Sequence, residues 1–384
     1  MRLGFACIWD TNPRKTWSYT PWDLREALRR RSDVEVVDIG FSIPTVLRRA
    51  LQLLSLRRRA GRWITPWKYM GIWQAGLQRE LEWRATKLEC DAVLQIQDLG
   101  ITSVPYFIYQ DLSHDIALDC LLSGSQALRE YFPSYTVENL RRLRERQLKV
   151  YDGAEKLLAM SHFLRQSLIE RTGIDPGKVV TVWPGLSTSG SPKLAGPSDR
   201  GNRQRGPARL LFVGTSFLVK GGDQVLGALA VLRRGLFPQM TLTVVGPDRW
   251  PLATPPPAGV SFLGRVDPAE LPRIYEEHDL LVVPSRLEGF GKVFVEALSH
   301  GMPCVGRRAF AMPELIQPGV SGDLVDSDSP EDLAACITNV LGNEAIFRHC
   351  RSTSAQVAAT FCWDRAAADI AAIASSSISA RGGA

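Results

Sequence analysis

The chain opens on a short apolar run, RLGFACIW over 2–9, passes through a polar loop, and continues as PWDLREALRRR over 21–31, where apolar positions recur at helical spacing. VEVVDIG at 34–40 returns to a strand pattern, so the opening predicts a β-α-β unit. Three more continuous apolar runs follow: DAVLQIQ (91–97), YFIYQD (106–111) and KLLAMS (156–161). A run apolar on both faces is what a parallel strand needs when helices cover both sides of its sheet. Helical segments such as VENLRRLRERQLKVYDG (137–153) separate these runs, and the first half predicts a doubly wound α/β domain over 1–190.

A stretch rich in Ser, Gly, Pro and charge with no apolar periodicity then predicts a linker over 191–208. Beyond it the alternation restarts with RLLFVG (209–214), a helix over 221–235, TLTVVG (241–246), VSFLG (260–264), a helix over 267–279, LLVVPS (280–285) and PCVG (303–306). That is a second α/β domain over 209–360. The predicted fold class is therefore α/β, with two doubly wound, Rossmann-like parallel-sheet domains facing each other across a cleft. Ligands in such folds bind at the carboxyl ends of the strands.

Composition changes this picture little. A length of 384 residues suits two domains of ~100–200 residues each. No stretch approaches the ~18 consecutive apolar residues of a membrane span, and the apolar opening runs into Asp10 without a basic leader, which predicts a first strand rather than a targeting segment. Seven scattered cysteines without a C-x-x-C predict a reducing, cytoplasmic compartment. Five histidines without H-E-x-x-H or H-x-H spacing predict no protein-bound metal.

Charge changes it more. Residues 1–186 hold 27 basic and 21 acidic side chains, while 187–384 hold 19 of each. Between Asp38 and Glu80 there is no carboxylate, yet Arg48, Arg49, Arg57, Arg58, Arg59, Arg62, Lys68 and Arg79 lie there. Within that interval the segment 44–73 sets leucines at 47, 51 and 54 against an all-cationic polar face, with Trp63, Trp67 and Trp73 alongside. An apolar stripe, a basic face and aromatic residues at headgroup depth are the pattern of an interfacial helix, which predicts peripheral attachment to an anionic membrane surface, the inner face of the cytoplasmic membrane. The competing expectation is an ordinary Arg-rich helix packed on its own domain. No nucleic-acid-binding module accompanies the basic patch, so nucleic acid is not an expected partner.

The most informative stretch is LLVVPSRLEGFGKVFVEALSHGMPCVG, 280–306: a strand, a glycine-containing loop, a helix and another strand. Gly289 and Gly291 remove side chains just before the helix, so the backbone amides of Gly291, Lys292 and Val293 can approach an anionic group such as a diphosphate. Glu288 stands on that loop and Glu296 lies more than a turn inside the helix, bracketing the position.

This stretch resembles the retaining glycosyltransferases of family 4, often called group 1, which have the GT-B fold. The hallmark is E-x7-E, here Glu288 through Glu296 in EGFGKVFVE, preceded by a strand ending PS and followed by ALSHGMPCV. Further landmarks in register are FVG at 212–214, KGG at 220–222, VVG at 244–246, FLGRV at 262–266 and SGDLVD at 321–326. FCWD at 361–364 resembles the place where the family's chain turns back, implying a C-terminal helix over 361–384 that returns to the first domain.

The resemblance implies that Glu288 contacts hydroxyls of a donor sugar and Glu296 the ribose hydroxyls. It also implies that Gly214 and Lys220, with Gly289, Phe290, Gly291, Lys292 and Val293, line the diphosphate site. Where the family places an arginine after the glycine ending the second domain's first strand, this chain has Thr215, and Lys292 is the candidate replacement cation. Where the family has a histidine near the sugar, this chain has Gln110, which cannot transfer a proton, so Asp111 or His114 would act on the acceptor if a base is used.

The implied activity is transfer of a sugar from a nucleotide sugar, with UDP and GDP first, to a saccharide or lipid-linked saccharide with retention of configuration, in cell-surface polysaccharide or glycolipid synthesis. The nucleotide sugar is a substrate, and no cofactor is expected. Three alternatives remain open: a GT-B protein that binds nucleotide sugar without transfer, a GT-B nucleotide-sugar epimerase, and a peripheral scaffold that uses the basic segment alone and binds no nucleotide.

Overall fold

The computed structural model describes residues 1–43, 45–59, 62–186 and 207–382. Residues 187–206, which hold nearly all of the expected linker, lie outside the described residues. The chain divides into two compact units, Met1–Gly185 with Cys362–Ala384, and Leu186–Phe361.

The first unit is built on six parallel strands, β1 (Arg2–Ala6), β2 (Glu35–Asp38), β3 (Ala92–Ile96), β4 (Tyr106–Gln110), β5 (Lys156–Ala159) and β6 (Val179–Thr181). Their order in the sheet is β6-β5-β4-β3-β1-β2. Every residue of β3 and β4 is buried, which accounts for their unbroken apolar runs. The one polar side chain inside β3, Gln95, is satisfied there. Its Nε2 donates to the Gly100 carbonyl at 2.8 Å, and its Oε1 accepts from the amides of Leu99 (2.9 Å) and Gly100 (3.1 Å), fixing the loop beyond the strand.

The last helix, Trp363–Gly382, completes this unit. Trp363, Ala366, Ala367, Ile370, Ala371 and Ala374 are buried at the three- and four-residue spacing that places them on one face. They join Leu24, Ala27 and Leu28 of the Thr20–Arg29 helix in the core. Arg30 pairs with Asp364, and Arg365 donates to the Trp183 carbonyl, so charged contacts hold the start of the helix.

The second unit holds another six parallel strands, β7 (Arg209–Val213), β8 (Thr241–Val245), β9 (Val260–Gly264), β10 (Leu280–Val282), β11 (Cys304–Arg307) and β12 (Gly322–Val325). The order is β9-β8-β7-β10-β11-β12, the dinucleotide-fold pattern in which the direction of winding reverses between β7 and β10. The sequence pattern predicts a strand through 285, but β10 ends at Val282. Pro284 has no amide proton to extend the ladder.

The segment 44–73 departs from the single interfacial helix that its leucine spacing predicts. A helix spans only Thr45–Leu54; Arg57–Arg59 then pairs antiparallel with Arg62–Ile64, and a short 3-10 turn, Trp67–Tyr69, leads into the Gly71–Lys87 helix. Pro66 disfavours helical backbone at Thr65, and the cross-strand pairs Arg57 with Ile64 and Arg58 with Trp63 supply the alternative. Leu51 is buried, while Val46, Leu47, Leu53, Leu54, Leu56 and Trp63 are exposed. Among the described residues no helix is long and apolar enough to cross a membrane.

Candidate active site

The switch point of the second unit is where its chemistry collects. After β7 the chain turns through Thr215–Gly221 before the Gly222–Arg234 helix, and after β10 it runs through Val283–Gly291 before the Lys292–Ser299 helix. The Arg286 amide donates to the Val219 carbonyl at 2.9 Å, tying the two loops together. The Arg286 guanidinium adds bonds to the Leu218 carbonyl (2.7 Å), to both carboxylate oxygens of Asp223 (2.7 and 3.0 Å) and to Asp328 (2.8 Å). Asp328 also receives Arg307 at 2.7 Å. Burial alone would raise the Asp328 carboxyl, but the hydrogen bonds and charges of Arg286 and Arg307 outweigh it and hold it below the usual range. Two arginines near the switch point are thus committed to framing the loops.

Two glycines make the close approach possible. Gly221 has φ +77°, and a Cβ there would lie 2.6 Å from the Pro284 carbonyl oxygen. Gly291 has φ +93°, and a Cβ there would lie 2.7 Å from the Phe294 ring. Both conformations are cheap only for glycine. Gly291 is the N-cap of the Lys292–Ser299 helix and contributes no side-chain cap. That N-cap stands three residues after Glu288, and the Phe294 amide of the helix donates to the Gly291 carbonyl at 3.0 Å.

Lys220 and Glu288 meet across the loops. Lys220 Nζ lies 2.8 Å from Glu288 Oε2, and the Ser285 hydroxyl donates to the same oxygen at 3.0 Å. Glu288 is only 8% exposed, so its charge is held by a cation and a hydroxyl rather than by water. Nothing local marks Ser285 beyond its place three residues before Glu288.

Glu296 sits half-buried on the second turn of its helix and accepts the Tyr275 hydroxyl at 2.9 Å on Oε2. Tyr275, from the Leu271–Glu277 helix, is buried, and its ring stacks on His300 with centroids 5.6 Å apart and planes 15° apart. Burial, then the neighbouring Glu296 carboxylate, push the Tyr275 hydroxyl well above its ordinary range, so it remains a donor. No signal in the sequence singles out Tyr275, because its helix precedes β10 and only packing turns its hydroxyl to Glu296.

The other expected residues fall as follows. Gly214 directly follows β7, and a Cβ there would meet Lys220 Cγ at 3.0 Å; Thr215 comes next, exposed. Gly289 and Phe290 continue the loop, with Phe290 buried against Phe361 at 5.9 Å between ring centroids. Lys292 and Val293 open the helix, both half-buried. Gln110, Asp111 and His114 belong to the first unit, at the carboxyl end of β4. Gln110 is fully buried and donates its amide to the Tyr151 hydroxyl, while its Oε1 is buried without a hydrogen-bond partner. Asp111 accepts from Gln97 Nε2 at 3.2 Å. His114 starts the His114–Leu122 helix, where burial lowers its pKa below the ordinary 6.5 and favours the neutral ring.

Residues 198–357 match the family model described as glycosyl transferases group 1. The second unit is a glycosyl transferase group 1 domain. Among curated relatives, D-inositol 3-phosphate glycosyltransferase of Corynebacterium kroppenstedtii is 30% identical over 223 residues, covering 53% of this chain and 49% of that protein. The chain spans about half the length of the curated relatives it matches. Among solved structures, sucrose-phosphate synthase from Thermosynechococcus elongatus superposes with a TM-score of 0.70 at 16% identity, over 96% of this chain and 97% of that one. HepE of Anabaena, solved in complex with UDP and glucose, gives 0.63 at 17% identity over 97% and 99%. These likenesses extend over both units and assign the chain the GT-B fold. The group 1 domain thus holds Lys220, Ser285, Glu288 and Glu296 at its switch point.

Proposed function

We propose that the protein is a retaining glycosyltransferase that moves a sugar from a nucleotide-sugar donor to a saccharide or lipid-linked saccharide acceptor in cell-surface polysaccharide or glycolipid synthesis. The observation that carries this is the cluster of Glu288, Lys220 and Ser285 beside the start of the Lys292–Ser299 helix, whose N-cap is Gly291, at the group 1 domain's switch point. In this reading Glu288 orients the sugar and Glu296 the ribose. Lys220 and the first-turn amides of the Lys292–Ser299 helix stabilise the diphosphate as it departs. Preorganised donors aimed at developing charge are commonly the largest contribution to catalysis, so the leaving-group clamp dominates. Lys292 supplies the second cation that Thr215 lacks. A UDP-sugar is the first donor to test, a choice supported by the UDP complex of the similar Anabaena structure. In the first unit Asp111, or His114 in its neutral form, serves the acceptor.

The acceptor reading draws on the 44–73 region. Val46 is 82% exposed, Leu53 72%, Leu54 76% and Trp63 67%, with Arg48, Arg49, Arg57 and Arg58 in the same region. Isolated exposed hydrophobes need no explanation, but several together beside cations suit an anionic bilayer surface and an acceptor anchored in it.

The test is a thermal-shift screen against UDP-, GDP-, ADP- and dTDP-sugars, followed by measurement of nucleoside diphosphate release with and without lipid extracts as acceptor. A ligand at 100 times its Kd stabilises by ~2.7 kcal/mol, which such a screen resolves. Release that depends on acceptor supports transfer. Binding without release favours a non-transferring binding protein, which the threonine at 215 motivates. Sugar interconversion without acceptor favours an epimerase, and no shift with any donor removes the proposal.

A further inference from the structure

We propose that Tyr275 is a positioning residue for the donor's ribose, holding the Glu296 carboxylate in the orientation that receives two neighbouring hydroxyls. The inference rests on the nucleotide-sugar reading above and deepens it at one residue.

A glutamate side chain has three rotatable bonds, and Glu296 stands on a helix of only eight residues. Without a second contact its carboxylate would sample several rotamers, and binding would have to select one. The Tyr275 hydroxyl removes that freedom. It donates to Oε2 at 2.9 Å, and because burial and the Glu296 charge keep it protonated, it acts as a donor at any ordinary pH. An ionised carboxylate offers about four lone-pair positions. One taken by Tyr275 leaves Oε1 and the remaining Oε2 position, enough for a vicinal pair of hydroxyls.

The tyrosine is itself fixed from the other side. Its ring lies parallel to that of His300, and His300 Nδ1 is 3.8 Å from Glu276 Oε1, the residue next to Tyr275. His300 follows Glu296 by four residues, so the helix that carries the carboxylate also carries the platform beneath the tyrosine ring. The Leu271–Glu277 helix and the Lys292–Ser299 helix are thereby locked to each other at the carboxylate. A hydroxyl serving core packing alone would find a backbone carbonyl equally suitable; here it is spent on the side chain assigned to the ligand.

The experiment compares wild type, Tyr275→Phe, Glu296→Gln and the double variant, measuring Kd for UDP and for 2′,3′-dideoxy-UDP by calorimetry, with thermal melting as control. Tyr275→Phe keeps the ring and its stacking. The expected result is UDP binding weakened about 5- to 20-fold, a tenfold loss corresponding to ~1.4 kcal/mol. Dideoxy-UDP binding should change less than about 2-fold, so the preference for the ribose hydroxyls collapses. Glu296→Gln should collapse the same preference, and the two substitutions should be non-additive because they act on one contact. At saturating UDP-sugar, kcat should change less than KM. A ribose preference left intact in Tyr275→Phe, or equal weakening of both ligands, overturns the role of Tyr275 while leaving nucleotide binding standing. Wild-type protein that binds neither UDP nor GDP overturns the nucleotide-sugar reading and this inference together.

Discussion

Lys220 Nζ and Glu288 Oε2 lie 2.8 Å apart although 68 residues separate them in the chain. The pair joins the proposed leaving-group cation to the proposed sugar-orienting carboxylate. Removing the cation should therefore act twice, on the diphosphate and on the geometry of Glu288. Lys220→Ala is expected to lower turnover about 10²- to 10³-fold, the effect typical of deleting one preorganised donor. Steady-state rates with a UDP-sugar donor check this, and a variant within threefold of wild type would remove Lys220 from the machinery.

Gly291→Ala should damage the site through its backbone. The residue sits at φ +93°, and the added Cβ would approach the Phe294 ring to 2.7 Å. The left-handed conformation costs a non-glycine residue roughly 1–2 kcal/mol, and the steric clash adds to it. Chemical denaturation should show the group 1 domain destabilised by at least that amount. Nucleotide affinity should fall as well, because relief of the clash moves the first-turn amides.

His114 makes a pH prediction for the first unit. Its folded-state pKa lies below 6.5 because burial disfavours the charged ring, with the nearby Asp98 acting in the opposite direction. Between the folded value and 6.5 the unfolded chain binds a proton that the folded chain does not. Stability is thus fully present above 6.5 and is lost as pH falls below it. His114→Gln should flatten the dependence of the unfolding midpoint on pH between 7 and 5. Identical slopes for wild type and variant would contradict the buried neutral ring.

Membrane attachment through 44–73 separates into an apolar and a charged contribution. Leu53→Ser with Leu54→Ser should reduce flotation with anionic vesicles at any salt concentration. Replacing Arg57, Arg58 and Arg59 by serine should reduce it most at low salt, where surface attraction is least screened. UDP-sugar affinity should stay unchanged in both, since these residues lie in the first unit and the proposed donor site in the second. Wild-type protein left entirely in the soluble fraction would remove the attachment.

Glu296→Ala should weaken nucleotide-sugar binding more than it lowers kcat, because the ribose contact is the same in ground and transition states. Affinity equal to wild type would break the ribose assignment.

The strands were legible because both sheets are covered on two sides, so β3, β4 and β7 read as continuous apolar runs whatever lies beside them. The loop-and-helix layout of the E-x7-E stretch was legible for a related reason: Glu288, Gly291 and Glu296 stand on one contiguous loop and helix, where spacing along the chain is spacing in space. The 44–73 segment was misread as one helix because leucine spacing says nothing about which backbone the rest of the segment adopts. Proline at 66 and cross-strand pairing around Arg57–Arg59 decided that.

What the sequence determined alone is the α/β alternation, the charge asymmetry and the contiguous E-x7-E motif, all properties of short stretches of chain. What the tertiary structure decided is which distant groups complete that motif. Lys220 reaches Glu288 because β7 and β10 are neighbours in the sheet, and Tyr275 reaches Glu296 because the fold brings the Leu271–Glu277 helix beside the Lys292–Ser299 helix at that hydroxyl. The KGG landmark points to Lys220 but not to its partner, and nothing local points to Tyr275: both pairings depend on strand order and helix packing, which arise from burying the whole core at once.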